Sequence, residues 1–205
     1  MRLHKLFKNK SIFEPIYQYS DDPILKRQQV WQNLKEGLLI EDTAKFIPWN
    51  TTFYDLTKYQ EKRRDSGDRT EWYLGNHKIL DGYEAHLEAM KWIDKPYDNP
   101  VAVIYTNFGA DFEGQVIFNH LRVHLTKLLG EPAQIDLEEW GSFELGTITW
   151  EQNNVKVSLT AIEIFNVRYK LSVGYKNNPN DIVSAGLFFN VYLWFCMKFN
   201  IDVSI

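Results

Sequence analysis

The chain has 205 residues, 44% of them hydrophobic and 15% aromatic, which is ample for a sizeable core and excludes a largely disordered polymer. A formal net charge of -4 and a sequence pI near 5.8 give no electrostatic reason to approach phosphate backbones, so no nucleic-acid partner is expected. The one cysteine, Cys196, excludes an intramolecular disulfide and fits a reducing compartment, so a cytoplasmic location is expected.

Residues 1–20 open with MRLHKLFKNK, positively charged but without the long apolar stretch of a secretory signal, and read as a loosely attached arm. Asp22-Pro23 followed by Ile24, Trp31 and Leu34 predicts a first helix, begun by an N-cap and a first-turn proline and closed at Gly37. Leu38 to Ile40 and Phe46 to Trp49 are short apolar pieces, and Pro48 keeps the second from being a central strand. The spacing of Phe53, Leu56 and Tyr59 is helical, whereas Gln60 to Arg69, rich in both charge signs, reads as an exposed loop. Trp72 and Leu74 alternate with polar positions, and Gly75-Asn76 predicts a tight hairpin returning through Lys78 to Leu80. Asp81-Gly82 then opens a helix whose Tyr83, Leu87, Met90 and Ile93 share a face, ended by Pro96.

Val101 to Tyr105 predicts a buried strand. Ile117, Leu121, Leu125 and Leu128 repeat at helical spacing before Gly130 and Pro132, which defines the clearest helix of the chain. Phe143 to Trp150, Val155 to Leu159 and Val167 to Tyr175 have period two and predict an antiparallel meander. After the turn Asn177-Asn178-Pro179-Asn180, the apolar row from Leu187 to Phe199 reads as a strand; the run Ala185 to Met197 is too short to span a membrane and contains Asn190. The resulting fold class is α+β, a single domain over 1–205 with a largely antiparallel sheet packed against several amphipathic helices.

Catalytic patterns fail on their missing members. His120 and His124 stand four apart on one helix, as a zinc pair would, but a metalloprotease helix needs Glu where Leu121 stands and no third ligand is near in sequence. Glu84, His86 and Glu88 contain the spacing used by zinc deaminases, whose paired cysteines are absent from this chain. Ser142 and Ser172 lack a nucleophile elbow, Cys196 sits in an apolar row, and no phosphate-cradling glycine loop occurs, so no cofactor is expected. The Lys58 to Arg69 stretch interleaves Lys62, Arg63 and Arg64 with Glu61 and Asp65 and reads as solvated surface. The Asn50-Thr51-Thr52 sequon carries no weight by itself.

One compositional feature points outward. No Lys or Arg occurs between Lys127 and Lys156, an interval holding Glu131, Asp136, Glu138, Glu139, Glu144 and Glu151 together with Trp140 and Trp150. One reading is that Asp136, Glu138 and Glu139 solubilise a loop between helix and sheet while Trp140 and Trp150 fill the core. The functional reading takes carboxylates around an exposed indole as a polar rim with an aromatic anchor, for which a basic protein partner is the expected ligand. Acidic α+β proteins of this size resemble, in general build and without a shared motif, bacterial immunity proteins that neutralise basic toxins. The competing expectation is a small-molecule binder or metal-dependent hydrolase, with a pocket between sheet and helices lined by Trp49, Trp72, Tyr105 and His120 or His124. A third is membrane association through the C-terminal run.

Overall fold

The computed structural model describes residues 13–67, 69–92, 103–164 and 166–175. The turn at Asn177 to Asn180, the run from Ala185 to Phe199 with Cys196, the Pro96 to Pro100 stretch and the first part of the arm lie outside the described residues.

Helix α1 covers Pro23–Glu36, and Asp22 caps it by accepting from the Leu25 amide at 2.8 Å. Gly37 follows it, but for reasons of space: its φ of 171° is extended, and a side chain there would strike the Ile47 carbonyl across the hairpin. That hairpin pairs β1 (Gly37–Ile40) with β2 (Lys45–Pro48) as a separate two-stranded sheet, with Pro48 at the end of its strand. A single 3-10 turn, Asp55–Lys58, stands where helical spacing had suggested a longer helix.

Eight strands form the main sheet, antiparallel throughout: β3 (Lys62–Ser66), β4 (Arg69–Ile79), β5 (Tyr83–Trp92), β6 (Val103–Ala110), β7 (Gln134–Trp140), β8 (Phe143–Gln152), β9 (Val155–Ile164) and β10 (Asn166–Tyr175). Their spatial order is β3-β4-β5-β6-β10-β9-β8-β7. Helix α2 (Asp111–Leu129) connects the two halves and lies on one side of the sheet, against β6, β8, β9 and β10, with α1 packed beside it.

Four sequence expectations are corrected. The described residues contain two α-helices, so the several amphipathic helices reduce to α1 and α2 over a mostly β architecture. The segment expected as a helix from Asp81 is β5: Ala85, Leu87 and Ala89 are buried while Glu84, His86 and Glu88 point away, a period-two pattern that coexists with the helical spacing of Leu87 and Met90. Gly75-Asn76 does not turn the chain; β4 continues to Ile79 through a bulge between Tyr73 and Gly75, and Gly75, at φ 98°, supplies the left-handed residue there. The expected loop at 60–69 contains β3, which has a neighbour on one side only among the described residues and whose charges, including an Arg63–Asp65 pair at 3.0 Å, suit a strand at an edge.

Buried aromatics complete the helices. The C-terminal carbonyls of a helix have no partner within it. Here the Trp31 indole donates to the Leu129 carbonyl at 3.0 Å, the Trp150 indole to the Gly130 carbonyl at 3.0 Å and Arg27 to the Lys127 carbonyl at 3.3 Å, all at the end of α2. At the end of α1 the Trp49 indole donates to the Leu34 carbonyl and the Tyr175 hydroxyl to that of Lys35. Sheet and helices are thus joined by hydrogen bonds as well as by apolar contact.

Candidate functional site

The acidic interval is the outer end of the sheet. Among the described residues β7 is the terminal strand, hydrogen-bonded on one side to β8, with Asp136 opposite Thr147, Glu138 opposite Leu145 and Glu139 opposite Glu144. The alternation of a strand then decides where each carboxylate points. Trp150 bonds to the chain just beyond α2, so residues of β8 in step with it, Ile148 and Glu144, face the helix side. Their partners Ile135 and Glu139 share that side, and Asp136 and Glu138 project from the opposite one.

The expected single acidic face is therefore divided. Glu131, Asp136, Glu138 and Glu139 are all exposed, Asp136 and Glu138 on one side of β7, Glu139 on the other and Glu131 three residues before the strand, with Ile135 53% exposed among them. Glu144 is half-buried, its carboxylate 3.8 Å from Arg122 of α2 and its amide donating to Gln115 at 3.4 Å. Glu151 is separate, at the far end of β8 opposite Lys156. Trp150 is 1% exposed and so cannot be an accessible anchor, while the Trp140 side chain lies outside the described residues. Three exposed carboxylates thus stand on β7, divided between its two sides, with Glu131 before the strand and Glu144 behind it.

The histidines diverge in environment. His120 is exposed, whereas His124 is half-buried and its Nε2 lies 2.7 Å from the Leu80 carbonyl, which makes that nitrogen the protonated one. No three His, Cys, Asp or Glu side chains are grouped to hold a metal among the described residues. Trp49 and Trp72, expected to line a pocket, are buried at 1% and 0% in the core, and the Tyr105 side chain lies outside the described residues. In β5, His86 bonds Asn76 at 3.0 Å and sits 3.9 Å from Glu88 on the side of the sheet away from α2. No helix of the described residues is long and apolar enough to cross a membrane.

A cleft of about 220 Å³ does form elsewhere, between the start of α1, the last turns of α2 and the β4–β5 turn, lined among others by Lys26, Asp81, His124 and Lys127. Three consecutive residues at that turn, Leu80, Asp81 and Gly82, have φ of 50°, 65° and 86°. Left-handed backbone at Leu costs energy and persists only where its surroundings over-determine it. They do so here: Glu41 accepts from the Asp81 and Gly82 amides at 2.8 and 2.7 Å, His124 holds the Leu80 carbonyl, and Lys26 pairs with the Asp81 carboxylate at 2.9 Å. Burial also pushes the nearby Tyr19 hydroxyl up to about 12, against the lowering effect of its bond from Asn33.

Burial raises the Glu41 carboxyl above its ordinary value of 4.5, with Asp81 adding to the effect and the two amides and His124 opposing it. The folded chain thus holds the Glu41 proton more tightly than the unfolded one. Its stabilising contribution is complete below the ordinary value and is lost as pH rises through the raised one. Across that interval the unfolding free energy of the native chain is expected to fall with pH relative to that of Glu41→Gln. Urea titrations of both proteins at several pH values measure this difference, and one that does not change with pH contradicts the burial account.

No protein-family model, curated protein or solved structure matches the chain.

Proposed function

We propose that this protein acts by binding a basic protein partner along the outer edge of its sheet, at β7 and the adjoining end of β8. The observation that carries the reading is the coincidence of a strand that is terminal among the described residues with three exposed carboxylates, Asp136, Glu138 and Glu139, and with Glu131 just before it, in an interval that contains no Lys or Arg. A terminal strand offers backbone N–H and C=O groups to an added segment, and carboxylates on both of its sides favour lysine and arginine on either side of that segment. The same charges steer a cationic surface toward the edge and disfavour pairing of β7 with its own copy. Neutralisation of a basic protein, as in the immunity proteins this build resembles, is one activity such an edge would serve.

Reversing two charges tests the reading. Glu138→Lys with Glu139→Lys is expected to abolish capture of the partner from native lysate while leaving the melting temperature nearly unchanged, because both side chains are exposed. Capture of the native chain's partner should also weaken as salt is raised. Partner recovery by the doubly reversed protein equal to that of the native chain would reject the edge as the contact.

A further inference from the structure

Helix α2 has two apolar rows, and the described residues cover one. Phe118, Leu121, Leu125 and Leu128 are buried toward the sheet. Along the outer surface run Phe112, Val116, Asn119, Val123 and Lys127, each three or four residues from the next, with Phe112 77%, Val116 43% and Val123 54% exposed. Scattered exposed apolar side chains are ordinary. Three of them aligned at the spacing of a helix seam form a stripe with room for another helix.

We propose that this stripe is the contact between two copies of the chain, their α2 helices packed antiparallel about a two-fold axis passing between Asn119 and His120. In that register Val116 of one copy lies against Val123 of the other, and Phe112 against the aliphatic stem of Lys127. The exposed Glu113 and Lys127 lie on the same flank of the stripe, toward opposite ends of the helix. An antiparallel two-fold sets this flank against itself, so Glu113 of each copy meets Lys127 of the other. Parallel packing about a two-fold would carry this flank to opposite sides of the contact in the two copies, so Glu113 and Lys127 would not meet. A partner of uniform charge would be repelled at one end of the stripe. The pattern is therefore complementary to itself, which selects a second copy as the occupant.

The contact is small. From Phe112 to Lys127 the helix rises about 22 Å and is about 10 Å across, so the patch is below the roughly 800 Å² per partner of a standard interface. Contacts of that size belong to weak, transient association, so the dimer shows only when concentration is varied.

Sedimentation equilibrium of the full chain up to roughly 200 µM tests this at the concentrations where such small interfaces associate. The native chain is expected to show a monomer–dimer equilibrium, and Val116→Asp or Val123→Asp to weaken it by roughly tenfold or more without lowering the melting temperature. Glu113→Lys and Lys127→Glu should each weaken it, and the two together should restore it. A native chain that stays monomeric throughout overturns the proposal, as does a dimer indifferent to both valine substitutions. A dimer weakened by each charge change and not recovered by their combination overturns the antiparallel register. The acidic edge takes no part in this contact, so either outcome leaves partner binding to be judged by its own experiment.

Discussion

Trp150→Ala is expected to lower the unfolding free energy by about 3–5 kcal/mol, the range for deleting a large aromatic side chain from a packed core. The indole is 1% exposed in β8 and belongs to the central apolar cluster with Leu121, Leu125 and Val157. It also donates to the Gly130 carbonyl, at the point where Gly130, with φ 97°, turns the chain out of α2 toward β7. Alanine thus leaves a cavity and an unpaired carbonyl together. Trp150→Phe separates the two: it keeps most of the apolar volume and loses only the donor, so its cost should be nearer 1–3 kcal/mol. For a chain of this length the alanine variant should melt roughly 10 °C lower. Urea denaturation read by tryptophan fluorescence and circular dichroism measures both, and an alanine cost below about 1 kcal/mol would mean that Trp150 does not support the end of α2.

The same residue shows where sequence reading stops. Trp150 stands beside Glu151 in an acidic interval, and composition leaves it open to core or surface; the pairing of β8 with β9 and its bond to the Gly130 carbonyl place it inward. Helix α2 and the β8–β9–β10 meander were legible because each has one periodicity and clear punctuation: Gly130 after the helix, Asn153 at φ 56° between β8 and β9. β5 was not, since Leu87 and Met90 satisfy a helix while Ala85, Leu87 and Ala89 satisfy a strand, and the neighbouring strands β4 and β6 decide between them. β7 was hidden by its charges. Ile135 and Leu137 alternate with Gln134, Asp136 and Glu138, but a seven-residue segment with three carboxylates reads as a loop until a partner strand is supplied. For the candidate site, composition disclosed the charge and its sign. The division of the carboxylates between two sides of the edge, and the removal of Glu151 to the other end of β8, depend on register, which no local signal carries.

Gly114→Ala should destabilise the protein although alanine is the best helix former. In α2 that substitution would ordinarily gain up to about 1 kcal/mol. Here Gly114 is buried, and a methyl group on it would overlap the ring of Tyr169, with the Gly109 backbone on its other side. Either the first turns of α2 lift from β10 or the Tyr169 ring leaves its place. Displacing the ring would break the 3.0 Å bond from its hydroxyl to Gln115 and disturb its packing against Phe108 and Phe118. Overpacking of this kind costs about 1–3 kcal/mol, which exceeds the propensity gain. Gln115 accepts from Tyr169 and from the Glu144 amide, so the same displacement reaches β8 behind the acidic edge. It would also move Phe112 and Val116, the N-terminal part of the proposed self-contact. Removing the obstructing ring distinguishes overlap from a generic helix effect: in a double-mutant cycle with Tyr169→Leu, the alanine cost should shrink by more than about 0.5 kcal/mol. Additive free energies in that cycle, or a Gly114→Ala protein more stable than the native chain, would show that α2 is not seated against Tyr169.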